Sequence, residues 1–483
     1  MVYCVKNGDP EPGAETPMNK PNFTLKVDPS AKIEYDEDGE PKPMYLYLEL
    51  QGVNDNQSIQ IEHNGQKNDY TLNKNVTNSI QLEVEPNDVI KVYADVIAFK
   101  AQAGKLVTCE LGKNDNLEVL NLMMNKITEL DLSQLPKLRE LAITDNRLTT
   151  IDLSKLKSLK EFYGSYNNVG TLDTKQNHSL EVLACAGMGL TELDLSNNPK
   201  LENLTAGNNN YTTFPDLSNK PALKWIDMES CGMKEIDVTK FPKLKFLDLS
   251  GNQLTNLDLS KNTLLRKLDL DNNQLDACAI NDILFTLQKA QKEDEASLQI
   301  KGNTGSSTCD NALLEGKNWT TNVDGNGTGC NTVRLRFEDN PQGSFKTLVD
   351  GKDIPEWTPI EKGKEVKIET SPIKGYKLVK IMLNGEDVTA NTFKIQQYGV
   401  LAAIFDIDNG IRNVETEAVK VVQHNGNIVI MGLQPETDYQ IYDVLGKMLY
   451  TGMTDANGNA EISLSTGHLI IIKQNDTVIK IRC

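Results

Sequence analysis

Between Trp225 and Asp271, acidic and aromatic side chains recur at a fixed spacing. Trp225, Asp227 and Glu229 are followed by Phe246 and Asp248, then by Lys267, Asp269 and Asp271, each set about 21 residues after the last. Carboxylates at this spacing could exchange protons, hold a hard cation or steer a basic partner, and the aromatics could supply buried area or a stacking platform. Proton chemistry finds no further support. The four histidines, His63, His178, His424 and His468, are spread over different regions, so neither a metal cluster nor a Ser-His-Asp arrangement is formed by the sequence. The run from Gly325 to Gly329 lacks the strand-to-helix setting of a phosphate loop. No catalytic residue, resident metal or cofactor is expected; the one ion the pattern could accommodate is a cation between Asp248 and Asp269.

These residues sit inside a longer phrase, L-x-x-L-x-L-x-x-N-x-L-x-x-L-D-L-S, which begins at Leu117, Leu138, Leu159, Leu180, Leu201, Leu223, Leu244 and Leu265. One period earlier, Val96, Phe99, Ala101, Gly104, Leu106, Cys109 and Leu111 fit the same template with weaker residues, as a capping coil would. Leucines alternating with polar residues, as at Leu120 and Leu122, mark a strand with one buried face. The second half of the phrase keeps the same internal spacing, which predicts an extended segment on both sides of a thin solenoid. A single coil cannot bury its apolar face, so the core must come from stacking.

Asn125, Asn146, Asn167, Asn209, Asn252 and Asn273 occupy one column where the chain leaves the strand. A buried carboxamide there can bond backbone groups of its own and the neighbouring coil, so the column is read as a structural ladder. Met188 and Cys231 replace it in two coils, and one extra residue near Phe214 and Pro215 predicts a local irregularity. Replacing Asn252 by Leu is expected to cost roughly 1–3 kcal/mol. A second column, Asp131, Asp152, Asp173, Asp194, Asp237 and Asp258, precedes Ser or Thr at turns and is also assigned to local backbone bonding.

The chain has 483 residues, too many for one core, and a formal net charge of −18, which argues against nucleic acid or an anionic membrane as the main partner. No apolar run is long enough to span a bilayer. The pattern divides the chain into a flexible polar segment at 1–21, a small β domain and N-terminal cap at 22–95, the repeats at 96–275, a cap and linker at 276–331, and β modules at 332–408 and 409–483. In the cap, Ile280, Ile283, Leu284 and Leu287 have helical spacing. The whole is mainly β: a solenoid flanked by small antiparallel, sandwich-like modules. Cys109, Cys185 and Cys231 fall at buried repeat positions as small hydrophobes. Of Cys278, Cys309 and Cys330, two are expected to form a disulfide, with Cys278–Cys309 preferred and Cys309–Cys330 the alternative. Cys483 is read as a free thiol.

The repeats, with LTELDLSNNPKLENL as the cleanest example, resemble the leucine-rich repeat surface proteins of Bacteroidetes, relatives in architecture of the internalins. The segment ACAINDILFTLQKAQ with IKGNTGSSTCDNALLEGKNW is similar to the C-terminal cap of that group. The module around EKGKEVKIETSPIKGYKLVKIMLNGEDVTANTFKI, with Gly363, Pro372, Gly375, Tyr376, Asn384 and Gly385, resembles the divergent internalin B-repeat, a β-grasp-like spacer. The last segment, with IYDVLGKMLYTG, is similar to the sorting domain read by the type IX secretion system, although the usual Gly-x-Tyr stands here as Gly467-His468-Leu469. Cys4, followed by a polar acidic stretch, resembles the acylated cysteine of a bacterial lipoprotein, a competing anchor.

The resemblance implies an adhesin-like binding protein at the outer-membrane surface or secreted, with an extracellular or host protein as partner. The outward positions of the late coils, Trp225, Asp227, Glu229, Phe246, Asp248, Lys267, Asp269 and Asp271, form the candidate ligand-binding patch. Glycan capture on Trp225, Phe246 and Tyr163 is the alternative, and a structural surface-layer role without a discrete ligand is a third.

Overall fold

The computed structural model describes residues 20–38, 40–212, 214–388, 391–407, 420–424, 427–443, 448–462, 469–474 and 477–482. Cys4, Cys483 and the Gly467-His468 pair lie outside them. The chain is mainly β and divides into two units, residues 1–332 and 333–483.

The first unit opens with strands β1 (Phe23–Val27), β2 (Met44–Gly52), β3 (Gln57–His63), β4 (Gln66–Leu72), β5 (Asn78–Val84), β6 (Val89–Tyr93), β7 (Val96–Lys100) and β8 (Leu106–Leu111). The repeats follow as three-residue strands β9 (Val119–Asn121), β10 (Glu140–Ala142), β11 (Glu161–Tyr163), β12 (Val182–Ala184), β13 (Asn203–Thr205), β14 (Trp225–Asp227), β15 (Phe246–Asp248) and β16 (Lys267–Asp269). Helix α1 (Ala277–Thr286), β17 (Ser297–Gln299) and β18 (Thr320–Thr321) close the stack.

Each repeat strand places one leucine-type residue inward between two outward neighbours. Leu120, Leu141, Phe162, Leu183, Leu204, Ile226, Leu247 and Leu268 are buried in line, and the strands pair in parallel with matched register. This run does not stop at the repeats. β7 pairs in parallel with β9, β2 pairs antiparallel with β7, and β5 pairs with β2, making one 13-stranded sheet from β5 to β18. The anticipated capping coil is therefore only half a coil: after β7 the chain leaves through β8, which pairs antiparallel with β1 in a separate five-stranded sheet. One apolar core continues from Phe23 to Trp319, and the stacked rings of Phe23 and Phe99, 3.8 Å apart, join the two sheets.

The return half of each coil is not a second sheet. Residues just before the asparagine column take positive φ, from Met124 at 58° through Asn208 at 54° to Asn272 at 56°, which turns the backbone out of the strand. Beyond the turn, neighbouring coils share few lateral bonds, such as Arg147 N–H to Ile127 O at 2.9 Å and Gln274 N–H to Leu254 O at 2.9 Å. The extra residue near Phe214 is absorbed entirely here, since Asn203 still pairs with Trp225 on the strand side. It opens a groove between Phe214, Leu217, Met233, Ile236 and Phe241.

At the far end Asp276 caps α1, accepting the Ala279 N–H at 2.8 Å, and Ile280, Ile283, Leu284 and Leu287 are buried over the last coils. The disulfide joins Cys278 to Cys330, not Cys278 to Cys309 or Cys309 to Cys330. The chain returning after residue 325 crosses the first turn of α1 so closely that a Cβ on Gly329 would lie 2.6 Å from the Ala277 Cβ, which sets Cys330 beside Cys278. Cys309 is instead buried, its thiol donating to Ser306 O at 3.4 Å. Cys109, Cys185 and Cys231 are buried and free, and burial pushes the Cys185 thiol up to about 12.

In the second unit two four-stranded sheets hold Ile368, Ile381 and Leu401 as their buried centre. Asn384 and Gly385, with φ of 53° and 84°, turn the chain between the strands Tyr376–Leu383 and Glu386–Asp387. The remaining strands, from Lys420–His424 to Thr477–Arg482, form a three-stranded and a four-stranded antiparallel sheet that bury Ile430, Ile441, Ile462 and Ile472.

Candidate binding face

One face of the 13-stranded sheet covers the core; the other carries the outward residues in two lateral rows fixed by strand register. The first row runs Val119, Glu140, Glu161, Val182, Asn203, Trp225, Phe246, Lys267, and the second Asn121, Ala142, Tyr163, Ala184, Thr205, Asp227, Asp248, Asp269. The late-coil candidates are thus neighbours in space.

Trp225 and Phe246 stack face to face, with ring centroids 3.5 Å apart and an interplanar angle of 5°, and Trp225 remains 40% exposed. Adjacent strands space them near ring-stacking distance, so the two rings form a ridge in which each covers one face of the other. Beside it, Asp227, Asp248 and Asp269 form a half-buried acidic row. Each spends one carboxylate oxygen on the backbone two residues ahead: Asp227 accepts the Glu229 N–H at 3.3 Å, Asp248 the Ser250 N–H at 2.9 Å and Asp269 the Asp271 N–H at 2.9 Å. Burial, with Asp248 between them, raises Asp227 and Asp269 to about 6. Like charges in adjacent strands oppose one another, so a cation supplied by a partner would be attracted here.

The remaining candidates divide. Glu229 is held by the Asn208 side-chain amide at 2.6 Å and stands at the edge of the patch. Lys267 is exposed and continues the row of Trp225 and Phe246. Asp271 belongs to the cap, accepting the Lys301 N–H at 2.5 Å and the Asn322 side-chain amide at 3.0 Å. Tyr163 is not part of the patch: three strand steps separate β11 from β14, and its hydroxyl donates to Glu161 at 2.7 Å. Among the described residues, no group of three or more His, Cys, Asp or Glu side chains is placed to hold a metal ion.

The asparagine column supports this face from behind. In Asn125, Asn146, Asn167, Asn209, Asn252 and Asn273 the Nδ2 donates to the carbonyl three residues before it and to one in the preceding coil, while Oδ1 accepts a backbone N–H of the preceding coil. Successive members share carbonyls: Leu122 O accepts from Asn125 and Asn146, and Leu249 O from Asn252 and Asn273. Cys231 keeps part of this role, its thiol donating to Ala206 O at 3.6 Å and Glu229 O at 3.4 Å.

A buried column on the return side has no counterpart in the sequence reading. Leu135, Leu156, Asn177, Asn198, Lys220, Phe241 and Asn262 follow the coil period there. Asn177 donates to Leu153 O and Leu156 O, Asn198 to Thr174 O and Asn177 O, and Asn262 to Val238 O and Phe241 O. Only period counting, not residue identity, could have found it. The aspartate column nearby accepts N–H groups two residues ahead, as Asp152 does from Ser154 at 2.8 Å; Asp216, displaced by the extra residue, does the same for Ser218 at 2.8 Å.

Among the described residues no helix is long and apolar enough to cross a membrane. Residues 221–282 match the family model described as Leucine Rich repeats (2 copies). No curated protein matches the chain. Similar solved structures include the internalin InlF of Listeria monocytogenes, 20% identical over 48% of this chain and 89% of that one, with a TM-score of 0.27. The functional domain of InlJ from the same organism is 17% identical over 76% and 92%, with a TM-score of 0.31. YopM of Yersinia pestis is 21% identical over 43% and 62%, with a TM-score of 0.35. Likeness at this level carries no argument about this chain, whose assignment rests on its own register. Residues 221–282 are leucine-rich repeats, and the coils from β9 to β16 hold one register throughout, so this stretch of the chain is one leucine-rich repeat solenoid.

Proposed function

We propose that this chain is a non-catalytic, adhesin-like extracellular binding protein that recognises a protein partner through the late coils. The observation that carries this reading is the solvent-facing ridge of Trp225 and Phe246 beside the acidic row of Asp227, Asp248 and Asp269. Aromatic anchors supply buried area at the centre of an interface, and the acids steer and orient a basic partner. Glycan capture is less well served, because each ring covers a face of the other and a sugar ring stacks on an open face. The Cys278–Cys330 disulfide agrees with an oxidising, extracellular setting. In this reading, residues 332–408 act as a spacer and 409–483 as an export or anchoring module, and the chain comes from a Bacteroidetes surface.

The test presents the purified chain, beside a Trp225→Ala, Phe246→Ala double variant, to a panel of purified extracellular proteins and to a glycan array. Protein binding lost in the variant is the expected result. Glycan binding lost in Trp225→Ala would move the assignment to capture, and binding untouched by the variant would remove the late coils as the site.

A further inference from the structure

The sheet that carries the late-coil ridge also carries β2, and lateral register puts the outward residues of both on one face. Glu49 pairs with Lys100, Lys100 with Asn121, and from there the row continues strand by strand to Asp227, Asp248 and Asp269. Side chains alternate along a strand, so Tyr45 and Tyr47 share the face of Glu49, while Leu46, Leu48 and Leu50 face the core. Tyr45 and Tyr47 are 39% and 51% exposed, and their ring centroids lie 6.4 Å apart. An aromatic pair therefore stands at each end of a single open face. Seven strand steps separate β2 from β14 in the sheet order, roughly 34 Å at ordinary strand spacing.

We infer that this face holds one protein partner at two places at once, the Trp225–Phe246 ridge and the Tyr45–Tyr47 pair, and that the partner brings basic side chains to the acids beside both. The inference rests on the reading that the ridge binds protein. A stable interface buries about 800 Å² on each side, far more than two stacked rings offer, so a partner confined to the ridge would be held weakly. Between the anchors, β12 and β13 present the short side chains Val182, Ala184, Asn203 and Thr205, while β10 and β11 add Glu140, Glu161 and Tyr163 and β7 adds Lys100, so a partner spanning the face lies over these side chains as well. Charge favours a basic occupant over a second copy of this chain: Glu83 pairs laterally with Tyr45, as Asp227 and Asp248 follow Trp225 and Phe246, and the chain carries a net charge of −18, although Glu49 beside Tyr47 is already paired with Lys100 at 4.0 Å. A compact ligand such as a monosaccharide could not reach both ends.

The test uses the full chain and three probes read by fluorescence anisotropy. They are the labelled tripeptide Arg-Tyr-Arg, two copies of it joined directly, and two copies joined by a Gly-Ser linker of about 40 residues, whose mean reach is roughly 35 Å. The directly joined pair has the same binding charges but sets its tyrosines at most about 11 Å apart. The long-linked probe is expected to bind at least tenfold more tightly than the directly joined one. Tyr45→Ala with Tyr47→Ala should erase that gain while leaving single-tripeptide binding at the ridge. Both tyrosines are exposed, and an unchanged melting curve of this variant confirms that the sheet is intact. Equal binding of the two doubled probes, or a gain that survives the tyrosine substitutions, overturns the second anchor alone. Failure of the single tripeptide to bind, or binding indifferent to Trp225→Ala, overturns the ridge reading and this inference with it.

Discussion

The two buried columns of the solenoid, one behind the strands and one on the return side, do the same geometric job with different chemistry. The strand-side column is asparagine in every coil from Asn125 to Asn273 except at Met188 and Cys231, whereas the return column mixes leucine, asparagine, lysine and phenylalanine. The reason lies in the backbone. On the return side each turn closes its own hydrogen bonds, as Leu138 N–H does to Leu135 O, Leu180 N–H to Asn177 O and Leu223 N–H to Lys220 O, whatever the side chain. On the strand side the left-handed turn strands N–H and C=O groups that no backbone partner reaches, and a carboxamide, with two N–H donors and an acceptor oxygen, meets both kinds at once.

The largest test of this contrast is Asn252→Leu. Its Oδ1 accepts both the Cys231 N–H at 3.1 Å and the Met233 N–H at 2.9 Å, because the coil before it lacks an asparagine, and its Nδ2 serves Met228 O and Leu249 O. Leucine would leave these groups buried without partners, at a cost of about 3 kcal/mol. Chemical denaturation of the first unit's transition checks this, and a loss below about 1 kcal/mol would mean that the ladder is ornamental.

On the other side, Asn198→Leu installs the residue that Leu135 and Leu156 already place in that column. The turn keeps its Asn198 N–H to Leu195 O bond, and only the side-chain bonds to Thr174 and Asn177 are lost. The expected cost is about 1 kcal/mol, the net worth of a hydrogen bond partly offset by apolar burial. A loss equal to that of Asn252→Leu would abolish the distinction between the columns.

How much of this the sequence disclosed follows the same division. The strand-side column repeats one letter at one spacing, so both its place and its chemistry were legible. The return column repeats a position but no residue type, so nothing in the sequence singles out Asn177, Asn198 and Asn262. The lateral adjacency of the late-coil residues was legible because parallel register carries the period directly into neighbouring strands. Tyr45 and Tyr47 were not, since nothing local in β2 announces that it pairs antiparallel with β7 and joins the repeats' sheet. The Cys278–Cys330 bond was missed for a like reason: the close crossing at Gly329 is a tertiary event.

Lys220 sharpens the comparison by its sign. It is fully buried in the return column, its ammonium bonded to the Asn219 side chain, and burial lowers its pKa from 10.5 against the attraction of Asp216 and Asp194. The folded state therefore holds this proton less tightly than the unfolded chain, so its contribution to stability rises with pH across the window between the lowered value and 10.5. Lys220→Met should remove that rise and, at neutral pH, stabilise the fold by about 1 kcal/mol, since a well-packed apolar residue replaces a buried charge. Parallel stability curves for the two proteins between neutral pH and pH 10.5 would refute it.

The smallest effect is at Met188, the one strand-side position whose replacement is purely apolar. Ile143 O receives two asparagines, Asn146 and Asn167, but Gly164 O receives only Asn167 and Cys185 O only Asn209, because the member between them is Met188. The Met188 N–H itself is taken by Asn209, so the following coil already compensates for part of the gap. Met188→Asn would restore the second donor to Gly164 O while giving up a fully buried thioether chain. These effects nearly cancel, leaving a change within about 0.5 kcal/mol of zero. Cys231→Ala runs the other way, removing a thiol donor from Ala206 O without adding an amide, and should cost about 1 kcal/mol. If Met188→Asn instead stabilised by as much as Asn252→Leu destabilises, the ladder would be a sum of independent sites rather than a column whose members cover for one another.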